Sequence, residues 1–486
     1  MKIVFFAAEM SPFAKVGGLA DILGELPQQM ADLGHQVYVI MPRYHCVDGR
    51  KFAMKKLGEF IDVDLGQEKE RASVKSYTVS ERLTVYFIDH PFFFERDGVY
   101  GTSHGDYEDN DKRFIFFSKA SLELLKLLGI KPDIVHCHDW QTGLIPAYIK
   151  LLYKDKSFFS KTKSFFTIHN LAYQGNFPPD TLSLTGFSWD EFTMHRMEFF
   201  GKLSFLKTGL IYSDIITTVS PTYAQEIQTH EFGCGLEGVL TDRNADLYGV
   251  LNGVDPMHWD PENDKEIPNN YTLDDLSGKA ENKKALQEQA HLTVDPDIPL
   301  FGIVTRLVDQ KGIDLILESL EGFAERNVQF VLLGKGMNKY HNALTKLSTK
   351  YAGKFKFYLK FDEKLAKHIY SGSDVFLVPS VFEPCGLGQI IALRYGTPSI
   401  VRNVGGLSDT INDFNPKTKK GNGFVFEENS SDAFLDKIDS VLKVYSNKSQ
   451  WGNLIKNAMK SDYSIKNSAK NYIKLYKEAK RKSTIN

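Results

Sequence analysis

The sequence predicts an α/β protein made of two doubly wound domains that face one another across a cleft. Short apolar runs of high β propensity alternate with helical patterns through both halves of the 486 residues, as parallel sheets with crossover helices require. The string Val16-Gly17-Gly18-Leu19 also returns as Val404-Gly405-Gly406-Leu407, each time between a strand-like and a helix-like run. This repetition predicts corresponding strand-to-helix turns in two similar domains.

The first domain is predicted to span residues 1–250. Its expected strands are the short apolar runs Ile3–Ala8, Gln36–Pro42, Thr84–Asp89, Asp133–His136, Phe165–His169 and Ile215–Val219. The first run superficially resembles a signal peptide, but Glu9 ends it too early, so we interpret it as a buried strand. A turn cluster at Leu251–Pro256, followed by a polar stretch, predicts a hinge near residues 245–262.

The second domain is predicted to span residues 251–463, where the same alternation restarts. Its expected strands are Leu300–Thr305, Gln329–Leu333, Phe355–Leu359, Val375–Pro379 and Ser399–Val401, with helices that include Gly312–Glu325 and Glu363–Gly372. Residues 464–486 form a predicted terminal helix and tail, with an apolar stripe that packs on the protein and lysines that face water.

Composition excludes several classes of partner. The 59 Lys and Arg against 61 Asp and Glu create no field that attracts nucleic acid or an anionic membrane, so local clusters must hold any anionic ligand. No run approaches the roughly 20 apolar residues of a membrane span. The four cysteines lie far apart without metal-ligand or disulfide spacing, which favours a reducing compartment, the cytoplasm.

Two cations follow the first strand of the second domain. Arg306 and Lys311 lie five residues apart, directly after Leu300–Thr305. The carboxyl end of that strand borders the ligand crevice of a doubly wound sheet, where a guanidinium and an ammonium suit a diphosphate. The alternative is a pair of surface cations at the end of the sheet.

A carboxylate and a glycine-rich helix start follow the strand at Val375–Pro379. Glu383 and Cys385 precede Gly386–Gly388, whose amides can donate hydrogen bonds to phosphate oxygens while the carboxylate meets a sugar hydroxyl or developing positive charge. The alternative is a Glu-Pro pair that only initiates a helix.

In the first domain, polar residues follow two strands. His138, Asp139 and Trp140 come after one strand and His169 after the next, so their side chains are expected at the same crevice. Zinc ligation by His136 or His138 would need further ligands at suitable spacing, which the sequence does not show.

Two acidic pairs could suggest a divalent cation. Asp62 and Asp64 lie in an alternating acidic segment, and Asp295 and Asp297 lie in a proline turn, so we interpret both as solvated. Three cations for a diphosphate already occur at Lys15, Arg306 and Lys311, and we therefore expect neither metal nor cofactor.

Together these motifs resemble the bacterial and plastid glycogen and starch synthases, retaining glucosyltransferases that use ADP-glucose. The resemblance covers nearly all of residues 1–480, in the order Lys15–Asp21, His138–Trp140, His169–Gly175, Leu251–Asp255, Arg306–Gly312 and Phe382–Gln389. It implies the glycosyltransferase B fold of two Rossmann-like domains, with the terminal helix crossing back onto the first. The nucleotide would lie on the second domain and the glucan against the first.

The resemblance also implies roles for individual residues. Catalytic roles fall to Glu383 on the transferred glucose, His169 beside the anomeric carbon, and the cations Lys15, Arg306 and Lys311. The implied donor-binding set is Lys15, Gly17, Gly18, Asn252, Arg306, Lys311, Phe361, Glu383, Cys385, Gly386, Leu387 and Gly388. Asp139 and Trp140 would bind the acceptor.

The implied reaction moves glucose from ADP-glucose to the 4-hydroxyl at the non-reducing end of an α-1,4-glucan. UDP-glucose as donor, or an inactive glucan-binding subunit, are the alternatives, and a mature plastid enzyme would look the same as a cytoplasmic one. The chain departs from the family pattern at Val16 and Gly388, where Thr occurs, at Phe361, where Tyr is common, and at Lys367-His368, where His-Arg is common.

Overall fold

The chain forms two compact units in a computed structural model that describes residues 1–102, 104–153 and 157–482. Unit 1 comprises residues 1–219 and 224–250 and the terminal segment from Ile465; unit 2 comprises residues 220–223 and 251–464. The predicted domains divide at 250/251 and 463/464, and the units change at 250/251 and 464/465. The predicted tail at 483–486 lies outside the described residues.

Unit 1 is built on a nine-stranded sheet with two small sheets beside it. The strands are β1 (Lys2–Phe6), β2 (Gln36–Pro42), β3 (Lys55–Leu65), β4 (Glu68–Ser80), β5 (Leu83–Asp89), β6 (Gly101–Thr102), β7 (Gly105–Asp106), β8 (Ile134–His138), β9 (Lys163–Ile168), β10 (Asn176–Phe177), β11 (Glu198–Phe199), β12 (Lys202–Ser204), β13 (Ile215–Thr218) and β14 (Leu247–Gly249). The large sheet has the order β14-β13-β9-β8-β1-β2-β5-β4-β3.

Seven strands of this sheet, from β14 to β5, are parallel, as the sequence predicts. The hairpin of β3 and β4, which is not among the predicted strands, adds two antiparallel strands at one edge. Most of its side chains are exposed or half-buried, so its strands lack the continuous apolar run that marks a buried parallel strand.

Helices connect the parallel strands. Up to residue 242 they are α1 (Gly18–Asp32), α2 (Pro91–Phe94), α3 (Asn110–Leu127), α4 (Leu144–Ala147), α5 (Leu182–Thr185), α6 (Phe205–Tyr212), α7 (Pro221–Glu226) and α8 (Glu237–Asp242). The apolar face of α1 buries Leu19, Ile22, Leu23, Leu26 and Met30, and its first residue is Gly18.

Unit 2 is built on a six-stranded sheet that is parallel throughout. Its strands are β15 (Leu300–Leu307), β16 (Gln329–Gly336), β17 (Phe355–Tyr358), β18 (Val375–Val378), β19 (Ser399–Arg402) and β20 (Phe424–Phe426), in the order β17-β16-β15-β18-β19-β20. Its helices are α9 (Ser277–Gln289), α10 (Ile313–Glu325), α11 (Asn338–Lys350), α12 (Glu363–Gly372), α13 (Gly388–Arg394), α14 (Gly405–Thr410), α15 (Ser431–Tyr445) and α16 (Lys448–Lys460).

The terminal helix α17 (Ile465–Lys482) belongs to unit 1 and packs against α1. Its Tyr476 is fully buried, and the hydroxyl lies 2.6 Å from Nδ1 of His136. The apolar stripe of the predicted helix is therefore part of the core of unit 1. In the described part of the chain, no helix is long and apolar enough to cross a bilayer.

Both large sheets share one strand order. Counted along the chain, the strands of unit 2 run 3-2-1-4-5-6, which is the Rossmann order, and in unit 1 β5-β2-β1-β8-β9-β13 repeats it. The order reverses between β15 and β18 in one unit and between β1 and β8 in the other. Ligands of such sheets bind at this reversal, outside the carboxyl ends of the strands.

This topology corrects one prediction. The first Val-Gly-Gly-Leu string follows β1, the first strand of its sheet, whereas the second follows β19, the fifth strand of the sheet in unit 2. The two strings therefore do not mark corresponding turns. The four-residue string indicates a turn from a strand to a helix, but it does not indicate which strand of the sheet precedes the turn.

Candidate active site

The loop between β1 and α1 is organised by a buried carboxylate. Glu9 is 4% exposed, and its Oε2 accepts hydrogen bonds from the amides of Val16 at 2.6 Å and Gly17 at 2.9 Å. The Tyr100 hydroxyl donates to Oε1 at 2.6 Å. The amide of Gly17, a residue of the implied donor-binding set, therefore binds Glu9, as does the amide of Val16. The only sign of this role in the sequence is that Glu9 is a charged residue at the end of a predicted buried strand.

The glycines of this loop leave open space above the backbone. Gly17 has an ordinary extended φ of −141°, and a Cβ added to Gly17 or Gly18 would meet no atom within 4 Å. Neither packing nor a left-handed backbone at Gly17 requires glycine here. Lys15 beside them is half-exposed, and its ammonium lies 2.6 Å from Asp21. A ligand can therefore approach the backbone closely at the start of α1.

Asp139 and His169 meet at the ends of β8 and β9. Oδ1 of Asp139 accepts the His169 amide at 2.7 Å, and Asp139 has a left-handed φ of 55°. Burial, with a contribution from the charge of Glu9, raises the pKa of Asp139 to about 7. Burial lowers the pKa of His169 to about 3, so its imidazole is neutral at physiological pH and bonds His138 at 3.0 Å.

Trp140, which follows β8, and His136, which lies within it, belong to the core. Trp140 is buried beside Phe114, at a centroid distance of 4.9 Å, and a Cβ on Gly175 would lie 2.5 Å from the Trp140 ring. Its contact with an acceptor stays a prediction. His136 is bonded at both nitrogens, to Tyr476 and to Thr167, each at 2.6 Å.

In unit 2, Lys311 and Glu383 form an ion pair at the reversal of strand order. Lys311 follows β15 and Glu383 follows β18, and the ammonium binds Oε2 of Glu383, which also accepts from the Ser380 hydroxyl at 2.9 Å. Glu383 is 5% exposed. Gly312 has a φ of 69°, and a Cβ there would lie 1.9 Å from the Pro379 carbonyl oxygen, which keeps the two loops in close contact.

The residues after Glu383 are held by the second Val-Gly-Gly-Leu string. The amide of Gly406 donates to the carbonyls of Glu383 at 3.1 Å and Pro384 at 3.2 Å. A Cβ on Gly406 would lie 2.3 Å from the carbonyl oxygen of Cys385. Burial raises the pKa of the Cys385 thiol to about 12, and the backbone of Asn252 hydrogen-bonds that thiol.

Gly386 is favoured by its left-handed backbone, and Gly388 is closely packed. Gly386 has a φ of 74°, and a Cβ on Gly388 would lie 3.2 Å from the Phe376 ring. Leu387 lies between them and precedes α13. The structure thus brings Asn252, Lys311, Glu383 and the 385–388 loop together within unit 2.

Two predicted donor residues are exposed. Phe361 is 78% exposed after β17, and Arg306, at the end of β15, forms no ion pair with any residue that the structure describes. Lys367, a departure from the family pattern, is buried in an ion pair with Asp264 at 3.3 Å and Glu266 at 2.8 Å. It therefore holds the segment after residue 260 onto α12.

The two acidic pairs have local partners. Asp62 binds Arg71 through both carboxylate oxygens, and Asp297 lies 2.9 Å from the ammonium of Lys448. Among the described residues, no group of three or more His, Cys, Asp or Glu side chains is arranged to hold a metal ion.

Comparison with known proteins identifies both units. The family model described as the starch synthase catalytic domain matches residues 2–242, and the model described as glycosyl transferases group 1 matches residues 285–460. The chain is 44% identical over 479 residues to a glycogen synthase of Syntrophotalea carbinolica, covering 99% of each. It is 45% identical over 489 residues to one of Pseudothermotoga lettingae, again with 99% coverage of both.

A solved structure extends this similarity to the fold. The catalytic domain of starch synthase IV from Arabidopsis thaliana, bound to ADP and acarbose, superposes with a TM-score of 0.91 at 36% identity and 99% coverage of both chains. A sucrose-phosphate synthase of Thermosynechococcus elongatus, at 17% identity and a TM-score of 0.61, shares the fold.

Two sheets, each with six parallel strands in Rossmann order and charged residues at its reversal of strand order, define a two-domain glycosyltransferase of the B type. The chain belongs to the family of glycogen and starch synthases, which makes it a glucosyltransferase.

Proposed function

We propose that this enzyme transfers glucose from ADP-glucose to the 4-hydroxyl at the non-reducing end of an α-1,4-glucan, with retention of configuration. The observation that carries the proposal is the ion pair of half-buried Lys311 with buried Glu383 at the reversal point of a Rossmann-ordered sheet. The ADP in the related starch synthase structure supports an adenine nucleotide as donor.

The ion pair suggests how the leaving group is stabilised. In the proposed reaction Lys311 and Arg306 bind the donor diphosphate, Lys15 adds a further charge, and the Glu383 carboxylate meets the glucose. Each charge-assisted hydrogen bond is worth about 1.5–3 kcal/mol. Because negative charge builds on the departing ADP, these contacts strengthen in the transition state and lower the barrier.

The proposed glucosyl transfer needs no separate acid or base, because the proton released by the acceptor is taken up by the leaving group. The bond between the anomeric carbon and the β-phosphate oxygen breaks, and the glucan 4-hydroxyl oxygen bonds that carbon on the same face. Its proton passes to the departing phosphate. His169 is neutral and contributes polarity beside the anomeric carbon, while Asn252 and Asp139 hold sugar hydroxyls and Trp140 borders the acceptor. A double-displacement glycosidase would need two carboxylates about 5 Å apart.

Two further proposals concern the surroundings of the reaction. We propose that transfer needs no metal or cofactor, because the cations Lys15, Arg306 and Lys311 supply the positive charge that a divalent ion supplies to other diphosphates. We also propose a cytoplasmic location, since Cys46, Cys137, Cys234 and Cys385 are all free thiols in the structure.

The test offers purified protein ADP-glucose and UDP-glucose separately, with and without glycogen, and measures nucleotide release and chain growth. We expect chain growth and stoichiometric ADP release only when ADP-glucose and glycogen are both present. Comparable use of UDP-glucose would reject the donor assignment, and nucleotide release without glucan would indicate a hydrolase. Glycogen binding without turnover of either donor would indicate an inactive glucan-binding subunit.

A further inference from the structure

A second cation lies beside Arg306 on the sheet of unit 2. In the parallel pairing of β15 with β16, Arg306 is the register partner of Lys335, and both residues are exposed. Neighbouring strands are about 4.8 Å apart, and register partners project from the same face. The sheet therefore carries two positive charges side by side, one residue before the end of each strand.

Among the described residues, no carboxylate forms an ion pair with either of these two charges. Asp309 and Asp314, the nearest carboxylates after Arg306 in the chain, both bind the Tyr340 hydroxyl at 2.6 Å, and Asp309 also pairs with Lys339 at 2.6 Å. Glu383 is bound to Lys311. Within the described residues neither Arg306 nor Lys335 has an ion-pair partner, and like charges in register on neighbouring strands repel. An anion that binds both would remove this repulsion.

The backbone holds Lys335 firmly in this place. A Cβ on Gly334 would lie 2.4 Å from the Thr305 carbonyl oxygen, and one on Gly336 would lie 2.2 Å from that of Leu307. The Met337 amide continues the pairing by donating to the Leu307 carbonyl at 2.8 Å. Two glycines thus let β16 follow β15 closely to its end. Lys335 is therefore presented on a rigid strand beside a predicted donor residue.

We propose that Lys335 is a further donor-binding residue, which binds the diphosphate together with Arg306 and retains the ADP product. The proposal rests on the proposed function above. With Arg306, Lys311 and Lys335 opposed by Glu383, this edge of the sheet carries two net positive charges. The two phosphates of a sugar nucleotide carry one negative charge each, and the freed terminal phosphate of ADP gains about one more at pH 7. Lys335 should therefore favour ADP over ADP-glucose.

The test compares Lys335→Met with Lys335→Arg and with a control, Lys346→Met. Lys346 is an exposed lysine of α11 that forms no ion pair with any described residue. We expect Lys335→Met to raise the inhibition constant of ADP about tenfold and the KM for ADP-glucose about threefold, with kcat within about twofold. Arginine should restore both constants, and the Lys346 variant should match the wild type. Raising the salt concentration should weaken ADP binding less in Lys335→Met than in the wild type.

The outcomes separate this inference from the function on which it rests. ADP affinity is measured directly by calorimetry as well as by inhibition, so the role of Lys335 is tested even if no donor is turned over. A wild type that makes glucan, with Lys335→Met at wild-type ADP affinity and KM, would overturn the inference and leave the function intact. A fall in kcat at constant KM would also overturn it.

Discussion

The two Val-Gly-Gly-Leu strings have the same sequence, but their glycines lie in opposite environments, one open and one closely packed. At the first string, a Cβ on Gly17 or Gly18 would meet no atom within 4 Å, and Lys15 beside it is half-exposed. At the second, Gly405 has a φ of 43° and a Cβ on Gly406 would lie within 2.4 Å of two backbone atoms of Cys385. The first pair of glycines leaves room for a ligand, and the second packs against the protein.

The residues that precede the two strings, Lys15 and Asn403, also have different surroundings. Lys15 lies at the surface with its ammonium 2.6 Å from Asp21, whereas the Asn403 side chain donates to the Glu427 carboxylate at 3.0 and 3.1 Å. The second string acts on the site only through the loop that it supports, which begins at Glu383. A glycine near a site can therefore leave space for a ligand or allow close packing of the protein itself. The distance from an added Cβ to the surrounding atoms distinguishes the two.

The largest effect is expected where the supported loop carries chemistry. Glu383→Ala should reduce glucosyl transfer by about 100- to 1,000-fold, because it removes the carboxylate proposed to meet the glucose and leaves Lys311 without its partner. The rate of ADP release with glycogen measures the loss, and the thermal midpoint should stay close to that of the wild type. Near-normal turnover would reject the mechanism.

A methyl group on the second string should damage the fold itself. Gly406→Ala should lower the free energy of unfolding by about 1–3 kcal/mol, because the Cys385 backbone must move to admit the Cβ. Activity should fall with it, as the loop after Glu383 shifts. Gly452→Ala, in α16 with no atom within 4 Å of the added Cβ, is the control and should be at least as stable as the wild type.

The same methyl group on the first string should leave the fold intact. Gly18→Ala should change the free energy of unfolding by no more than about +1 kcal/mol, since alanine favours the helix that begins there. It should lower kcat/KM for ADP-glucose about tenfold, because the methyl group would occupy the open space that is proposed to receive the donor. Unchanged kcat/KM would show that the open space is not used.

The last effect is on stability alone and concerns Asp139, whose pKa is raised by burial with a contribution from the Glu9 carboxylate of the first loop. The Asp139 pKa is about 7 in the fold against 3.8 ordinarily, so between these values the native state binds more protons than the unfolded chain. Rising pH therefore lowers the stability that this group contributes.

Denaturant unfolding of wild type and Asp139→Asn from pH 4 to 8 measures this effect. The stability of the wild type relative to the variant should decrease as the pH rises and level off above the native pKa. His169, whose pKa is lowered to about 3, has the opposite slope, but it is present in both proteins and cancels in the comparison. A pH-independent difference would contradict the raised pKa.

Much of this architecture was predictable because its signals are local. The strand Gln36–Pro42 and the helix Glu363–Gly372 have the predicted bounds, and the other predicted parallel strands lie within a few residues of the observed ones. The hairpin of β3 and β4 was missed because its solvated strands lack a continuous apolar run. Glu9 was noted only as the end of an apolar run, because its partners at Val16, Gly17 and Tyr100 lie 7, 8 and 91 residues away.

The sequence by itself determined the fold class, the family and the residue types available for the reaction, because apolar periodicity and ordered motifs are properties of the chain. Only the tertiary structure decided that Lys311 pairs with Glu383, that Lys335 is the register partner of Arg306, and that the two glycine strings follow the first and fifth strands of their sheets. These facts depend on strand order and register, which bring together residues that lie far apart in the chain. The sequence around each residue therefore carries no sign of the contact.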